Sequence, residues 1–444
     1  MRVSVIGCGR LGAPYAAALA DLGHLVLGMD TDPGTASALN AGRAPFDEPG
    51  LSESIARHHA SGALVMGGSY AAAVAHAAVH FVCVPTPQEE NGSGADLRAL
   101  TAAVLGLAAA AESHTVIVVK SSVPVGTTAR LAEQVAAVAR RDVRVELAYS
   151  PDFLRESTSV QDAARPSRIV LGVASHAVES VLREAWSGWL AAGVPLVVGD
   201  WATAELAKSA ANAFLATKMS FVNAMAAVCE ASGADVTTLA ASLALDPRIG
   251  SAMLASGLGF GGSCIPKDIR ALSARAGELE VPEAAELFRV VDRINLRRQR
   301  RVAALARELL GGSVAGRRIA VWGAAFKPGT DDTRESPALA VAVDLHRAGA
   351  SVVVSDPKAL GAVAHQCPAL TCTADPLEAL DGADLLLHLT EWAVFRQVDP
   401  AVAAARMAGA RVIDARCVLD AGVWVRAGWT FRALGLSPVE ADAA

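Results

Sequence analysis

Between Val3 and Gly172 short apolar runs alternate with longer, alanine-rich stretches of helical period. Residues 3–6 are apolar throughout and lead into Gly7-Cys8-Gly9-Arg10-Leu11-Gly12. A helical run follows to Leu22, Gly23 caps it, and a second strand occupies residues 25–29, ending at Asp30. Four more strands are predicted at 79–84, 115–119, 145–149 and 168–172. Short apolar strands separated by helices are what a parallel sheet covered on both faces requires, so a doubly wound α/β domain is expected.

The pattern then changes. Residues 202–301 hold no credible strand, only helical periodicity broken by a glycine-rich segment. Residues 202–231 read as a single helix, about 45 Å long at 1.5 Å per residue. Such a helix links domains or packs against a partner subunit. After Gly311-Gly312 a second α/β alternation begins at 318–322, with further strands at 351–355, 385–389 and 411–413. The expected fold is therefore α/β, with two Rossmann-like, doubly wound parallel-sheet domains joined by a central all-helical domain containing the long helix. The expected boundaries are 1–199, 200–312 and 313–444. No solenoid repeat is visible.

Composition narrows the function classes. A net charge of −6 gives no sign of a nucleic-acid or membrane surface, and runs such as Arg297-Arg298-Gln299-Arg300-Arg301 read as solvated helix faces. No stretch of about 18 strongly apolar residues is present, so no membrane span is expected. The opening Met1-Arg-Val-Ser-Val-Ile-Gly reads as a strand, and no signal peptide is expected. Seven cysteines without a Cys-x-x-Cys pair argue against a disulfide framework and a zinc site. A soluble, reduced, cytoplasmic protein is expected.

Gly7-x-Gly9-x-x-Gly12 lies between a strand and a helix, the context in which this spacing binds a dinucleotide. Asp30, 18 residues past Gly12, is suited to a ribose 2′-hydroxyl and so favours NAD over NADP. Two later strand ends carry Cys83-Val-Pro85-Thr86-Pro87 and Ser121-Ser122-Val-Pro124, placed to line the nicotinamide end or to serve as plain loops. Asp152 and Glu156 follow the fifth strand and share a face if that loop continues as a helical turn. On the long helix Lys208 and Asn212 stand one turn apart among small residues, either as donors to a substrate oxygen or as an exposed polar stripe. Lys327 and Arg334, in a glycine-containing loop after a strand, suit a diphosphate or simply balance surface charge.

The segment Gly259-Phe-Gly-Gly-Ser-Cys264-Ile-Pro-Lys267-Asp268 sets a cysteine in a glycine-rich turn ahead of a helix. Gly259, Gly261 and Gly262 allow a sharp turn and close approach to a ligand. Most cysteines outside disulfides are buried and inert, but these neighbours fit a nucleophile better, since a nearby cation or helix N-terminus favours the thiolate.

Together with residues 205–230, 324–337 and 121–127, in that family's order, this segment resembles the UDP-glucose 6-dehydrogenase family of nucleotide-sugar dehydrogenases. The resemblance runs from Gly7 to about Arg416. It implies oxidation of the C6 alcohol of a nucleotide-linked hexose to the acid, with two NAD and no free aldehyde. Cys264 would attack the C6 aldehyde, giving a thiohemiacetal and then a thioester. A thiohemiacetal still has a hydride to give, and a thiol of ordinary pKa, about 8.5, needs local activation at pH 7.

By the same resemblance Lys208 and Asn212 stabilise the C6 oxygen, Asp268 assists the water and proton steps, and Asp152, Glu156 and Ser122 complete the catalytic set. The implied cofactor contacts are Gly7, Gly9, Arg10, Leu11, Gly12, Asp30, Cys83, Pro85, Thr86, Ser121, Ser122, Glu156 and Arg334. The implied substrate contacts are Asp152, Phe153, Leu154, Arg155, Glu156, Lys208, Asn212, Met253, Leu254, Ala255, Ser256, Gly257, Gly261, Phe326, Lys327 and Arg416. Arg248 resembles an arginine lent across a homodimer interface. The chain departs from the family pattern at Asp152 (for Glu), Ser122 (for Thr), Thr35 (for Lys), Ser157 (for Gly) and Cys417 (for Asn).

GDP-mannose, UDP-N-acetyl-mannosamine and TDP-glucose dehydrogenation are alternatives of the same class. A two-electron β-hydroxyacid dehydrogenase shares the fingerprint and the Lys–Asn face but not the Cys264 loop or a second α/β domain. A catalytically silent nucleotide-sugar or NAD-binding regulator is the alternative of another class.

Overall fold

The computed structural model describes residues 1–90 and 92–437. The chain forms two compact units, Met1–Ala211 with Ala274–Glu280, and Asn212–Ser273 with Val281–Ala444.

The first unit is built on β1 (Arg2–Ile6), β2 (Leu25–Met29), β3 (Leu64–Met66), β4 (Val79–Val82), β5 (Thr115–Val119), β6 (Val145–Tyr149), β7 (Ile169–Val173) and β8 (Leu196–Gly199). They pair in the order β3-β2-β1-β4-β5-β6-β7-β8. The apolar strands feed two cores by alternation. Val5, Val116 and Val118 join Tyr15, Leu19 and Trp186 on one face, while Ile6, Ile117 and Val119 join Leu100 and Leu107 on the other.

One pair departs from the all-parallel expectation, because β7 runs antiparallel to β6. The connection between them, residues 150–168, holds one short helix, Ser159–Ala164, and the chain re-enters the sheet in the opposite direction. The short edge strands β3 and β8 carry too few residues to show a pattern, and the sequence reading missed both.

In the second unit β9 (Arg318–Trp322), β10 (Ser351–Ser355), β11 (Thr371–Thr373), β12 (Leu385–His388), β13 (Arg411–Asp414) and β14 (Thr430–Ala433) form a sheet in the order β11-β10-β9-β12-β13-β14. All five of its pairings are parallel. Ile319, Val321 and Leu387 pack on one face, Ala320, Trp322 and Leu386 on the other. This unit also holds the helices Val236–Ala244, Ile265–Glu278 in its first turns, and Pro282–Leu309. The long helix, Trp201–Ser232, matches the expected span within a residue at each end and continues from the first unit into the second.

The strand order reverses between β1 and β4 in one sheet and between β9 and β12 in the other. Outside the carboxyl ends of strands at such a reversal, adjacent loops diverge and leave a crevice for ligand.

Candidate active site

At the first reversal the three fingerprint glycines serve different purposes. A Cβ on Gly7, whose φ is +86°, would lie 2.9 Å from the Val84 backbone, and one on Gly12 would lie 1.8 Å from the Gly7 carbonyl oxygen. Those two are demanded by the protein's own packing. A Cβ on Gly9 would meet nothing within 4 Å. That open side, before the N-terminus of the helix Gly12–Asp21, fits a pyrophosphate. Asp30 is half-buried, and its two oxygens accept the Cys8 N–H at 2.7 Å and the Asp32 N–H at 2.9 Å. A carboxylate has about four acceptor positions, so capacity for ribose hydroxyls remains. Leu11 is half-buried beside this turn. The Arg10 guanidinium lies 5.1 Å from the Phe46 ring centroid and 3.9 Å from Glu156.

The loops after β4 and β5 are tied together. Thr86 Oγ1 donates to the Ser122 carbonyl at 2.8 Å, and Ser121 Oγ donates to the Val84 carbonyl at 2.6 Å. Pro85 is exposed, whereas Cys83 is buried and its thiol is pushed up to about 12 by that burial.

The segment after β6 is not helical at Asp152 and Glu156, so the shared helical face expected for them does not form; the helix begins only at Ser159. The buried Glu48 carboxylate holds the N–H groups of Ser157 and Ser159, and Ser157 has a φ of +69°, which breaks a helical path. Asp152 Oδ1 accepts the Leu154 N–H at 3.0 Å and stands 3.9 Å from Lys208 Nζ. The Phe153 ring receives the Arg168 guanidinium at 3.6 Å and Lys208 Nζ at 5.4 Å. Arg155 forms an exposed pair with Asp162 at 2.7 Å.

Lys120 was missed by the sequence reading, although a lysine closing the apolar strand 115–119 was the signal for it. Its buried Nζ donates to the Ser150 carbonyl at 2.9 Å and lies 4.4 Å from the Tyr15 ring centroid. Burial lowers its pKa to about 8, with the Lys208 charge acting in the same direction and Cys83 and Asp152 opposing.

In the second unit Cys264 is exposed and immediately precedes the helix Ile265–Glu278; its carbonyl accepts the Asp268 N–H at 3.0 Å. Its sulfur lies 3.5 Å from Ser263 Oγ. The buried Asp268 carboxylate accepts Asn212 Nδ2 at 2.6 Å and Lys267 Nζ at 2.6 Å. Asn212 and Lys208 are both buried, which removes the exposed-stripe reading of that helix face.

The side-chain directions of the glycines before the thiol are filled by the protein itself. A Cβ on Gly261 would lie 2.3 Å from the Glu335 carbonyl oxygen, and one on Gly262, at φ +85°, 2.8 Å from the Phe326 ring. Both glycines thus pack closely on the chain's own late loop. In the segment before them Met253 is exposed with φ +62°, Leu254 is buried, Ala255 is exposed, and Ser256 Oγ lies 3.7 Å from Cys417 Sγ. Arg248 is exposed and bound to Asp246 of its own loop at 2.6 Å.

The second sheet repeats the geometry of the first. Gly323, at φ +104°, closes on Thr390 across the reversal as Gly7 closes on Val84, and Asp356 after β10 accepts the N–H groups of Ala324 and Ala325 as Asp30 accepts that of Cys8. Asp356, however, is buried and also receives the N–H groups of Lys358, Ala359 and the Trp392 indole. No acceptor capacity is left there for a dinucleotide ribose. Arg416 donates to the carbonyls of Leu389 at 2.6 Å and Phe326 at 3.1 Å, and Lys327 Nζ lies 5.6 Å from the Phe326 ring centroid. Arg334 grips Asp332 with two nitrogens, the shortest contact being 2.7 Å.

Among the described residues no group of acidic, histidine or cysteine side chains is arranged to hold a metal, and no helix is long and apolar enough to cross a membrane.

Three family models match the chain in order. They are the NAD binding domain of the UDP-glucose/GDP-mannose dehydrogenase family over residues 1–190, its central domain over 202–297, and its UDP binding domain over 320–421. The UDP-glucose 6-dehydrogenase of Rhizobium meliloti is 37% identical across 98% of this chain and 99% of its own. That of Pseudomonas aeruginosa is also 37% identical, across 98% and 97%. A solved UDP-glucose dehydrogenase from Pyrobaculum islandicum superposes with a TM-score of 0.91 at 34% identity, covering 98% of each chain. The chain thus belongs to the UDP-glucose/GDP-mannose dehydrogenase family, as an NAD-dependent dehydrogenase acting on a nucleotide sugar.

Proposed function

We infer that this enzyme oxidises the C6 hydroxymethyl group of UDP-glucose to the carboxylate of UDP-glucuronate, in two oxidations joined by a covalent bond to Cys264. The observation that carries this reading is an exposed cysteine opening a helix whose first turn holds the buried Asp268, bonded to Lys267 beside it and to the buried Asn212 of the long helix. UDP-glucose is favoured because the relatives at 37% identity bear the name UDP-glucose 6-dehydrogenase.

Bound NAD supplies a hydride acceptor for each oxidation. The residues suited to hold it are Gly9, Arg10, Asp30 and the Thr86 and Ser122 loops. In the reaction proposed, Lys208 and Asn212 donate to O6 and stabilise the oxyanion that precedes each loss of hydride. Cys264 Sγ adds to the aldehyde carbon, forming a C–S bond while the carbonyl oxygen takes a proton. The adduct keeps one hydrogen on C6 and can be oxidised once more, to the thioester. Asp268 takes a proton from the water that attacks the thioester, and the C–S bond breaks to release the acid and the thiolate. Asp152, through Lys208, and Glu156, beside Arg10, are assigned positioning and proton-holding roles. Phe326, Lys327 and Arg416, with the segment 253–257, are assigned to the nucleotide, and Arg334 to the cofactor.

A homodimer belongs to the same reading. Phe214, Phe221 and Val228 recur every seven residues on the long helix and are 67%, 48% and 55% exposed. A seven-residue apolar recurrence forms one stripe, and a second copy is the occupant that covers it symmetrically. Arg248 would then serve the partner's nucleotide. A thiol that must stay reduced suits the cytoplasm.

The test is NADH formation with UDP-glucose, TDP-glucose, GDP-mannose and UDP-N-acetyl-mannosamine compared at equal concentration. The account expects the highest kcat/KM with UDP-glucose. Turnover of GDP-mannose alone would overturn the substrate, and activity with none of them the class.

A further inference from the structure

Residues 245–264 contain no helix or strand, yet Ser256, Gly257, Leu258 and Phe260 are buried. Buried backbone outside a helix or sheet must find its hydrogen-bond partners elsewhere. Here side chains of two helices supply them. Asn295, on the helix Pro282–Leu309, accepts the Phe260 N–H at 2.8 Å and donates Nδ2 to the Phe260 carbonyl at 3.0 Å. Its amide thus mimics the peptide of a neighbouring strand. Asn223, on the long helix, accepts the Gly257 N–H at 2.8 Å, while Arg298 donates Nε to the Gly257 carbonyl at 3.0 Å and Nη1 to the Asn223 carbonyl at 3.4 Å. All three side chains are at least nine-tenths buried. Gly259, at φ +108°, allows the fit, since a Cβ there would stand 2.4 Å from Asn295 Oδ1.

We propose that Asn295, Asn223 and Arg298 are positioning residues for the thiol loop. They fix the backbone at Gly257 and Phe260, four residues before Cys264, and so set where the cysteine and the preceding substrate segment stand. The Phe260 clamp is rigid because both of its polar backbone groups are held by one planar amide, itself fixed on a helix. Release of either end lets the glycine-rich run 257–262 move, and an ångström of misplacement at a reacting atom costs on the order of a hundredfold in rate.

The inference rests on the proposed role of Cys264, and the experiment separates the two. In Asn295→Ala, the rate of iodoacetamide alkylation at Cys264, followed by peptide mass spectrometry, should change about threefold or more, because thiol reactivity follows its surroundings. The kcat/KM for nucleotide sugar should fall about tenfold or more, while the Kd for NAD stays within about twofold. Asn223→Ala should act in the same direction and replaces Asn295→Ala if that variant does not fold. Alkylation and kcat/KM both unchanged in a folded variant would overturn the proposal. So would a loss shared equally by NAD binding, which would mark a general stabilising role. If the native enzyme oxidises no nucleotide sugar, the functional reading fails, and the alkylation rate still decides the clamp.

Discussion

Cys264 is exposed at the start of a helix, while Cys8, Cys83 and Cys229 are buried and Cys367, Cys372 and Cys417 are half-buried. Cys264→Ser should therefore keep NAD and nucleotide-sugar binding, yet lose turnover by orders of magnitude. Titration calorimetry and steady-state rates check this, and near-normal turnover would remove the covalent step. Lys120 gives a pH test with a definite sign. Its folded pKa, about 8, lies below the usual 10.5, so between those values the unfolded chain binds more protons and stability rises with pH through this group. The stability of the native chain relative to Lys120→Met should improve across that window in urea unfolding; a flat difference contradicts the assignment. Ser157 and Cys417 adopt φ of +69° and +56°, the left-handed region that Gly and Asn enter most readily, so the Gly and Asn expected from the family pattern would sit there with less strain than the residues present.

At the scale of elements, the strands ending at Asp30 and at Tyr149 and the long helix were legible because each carries a full apolar or helical period. The edge strands of three or four residues were not, and neither was the reversal at β7, since strand direction leaves no mark in the apolar pattern of a five-residue strand. The thiol segment stands out in the sequence as candidate chemistry through Cys264, Lys267 and Asp268. Its scaffold does not, because Asn223, Asn295 and Arg298 lie 41, 31 and 34 residues from Cys264 in the chain and carry no local signal. The glycine spacing predicts a sharp turn and a close approach, and at Gly261 and Gly262 the structure fills the side-chain direction with Glu335 and Phe326. The exposed seam of the long helix yields a prediction. Phe214→Glu with Phe221→Glu should shift the protein from dimer to monomer in light scattering, by placing buried charge on the shared face. A wild-type monomer at working concentration would contradict the seam's role.

At the scale of the molecule, two sheets with the same reversal do different work. The turn–aspartate arrangement recurs at Gly7 with Asp30 and at Gly323 with Asp356, but only the first keeps acceptor capacity and an open glycine. Local duplication of the fold therefore does not imply duplication of the cofactor site. The central claim is that one nucleotide sugar is oxidised twice without release of the aldehyde. The direct measurement counts NADH formed against nucleotide sugar consumed, with the product identified by mass spectrometry. The account predicts two NADH for each uronic acid; one NADH with an aldehyde set free would contradict it.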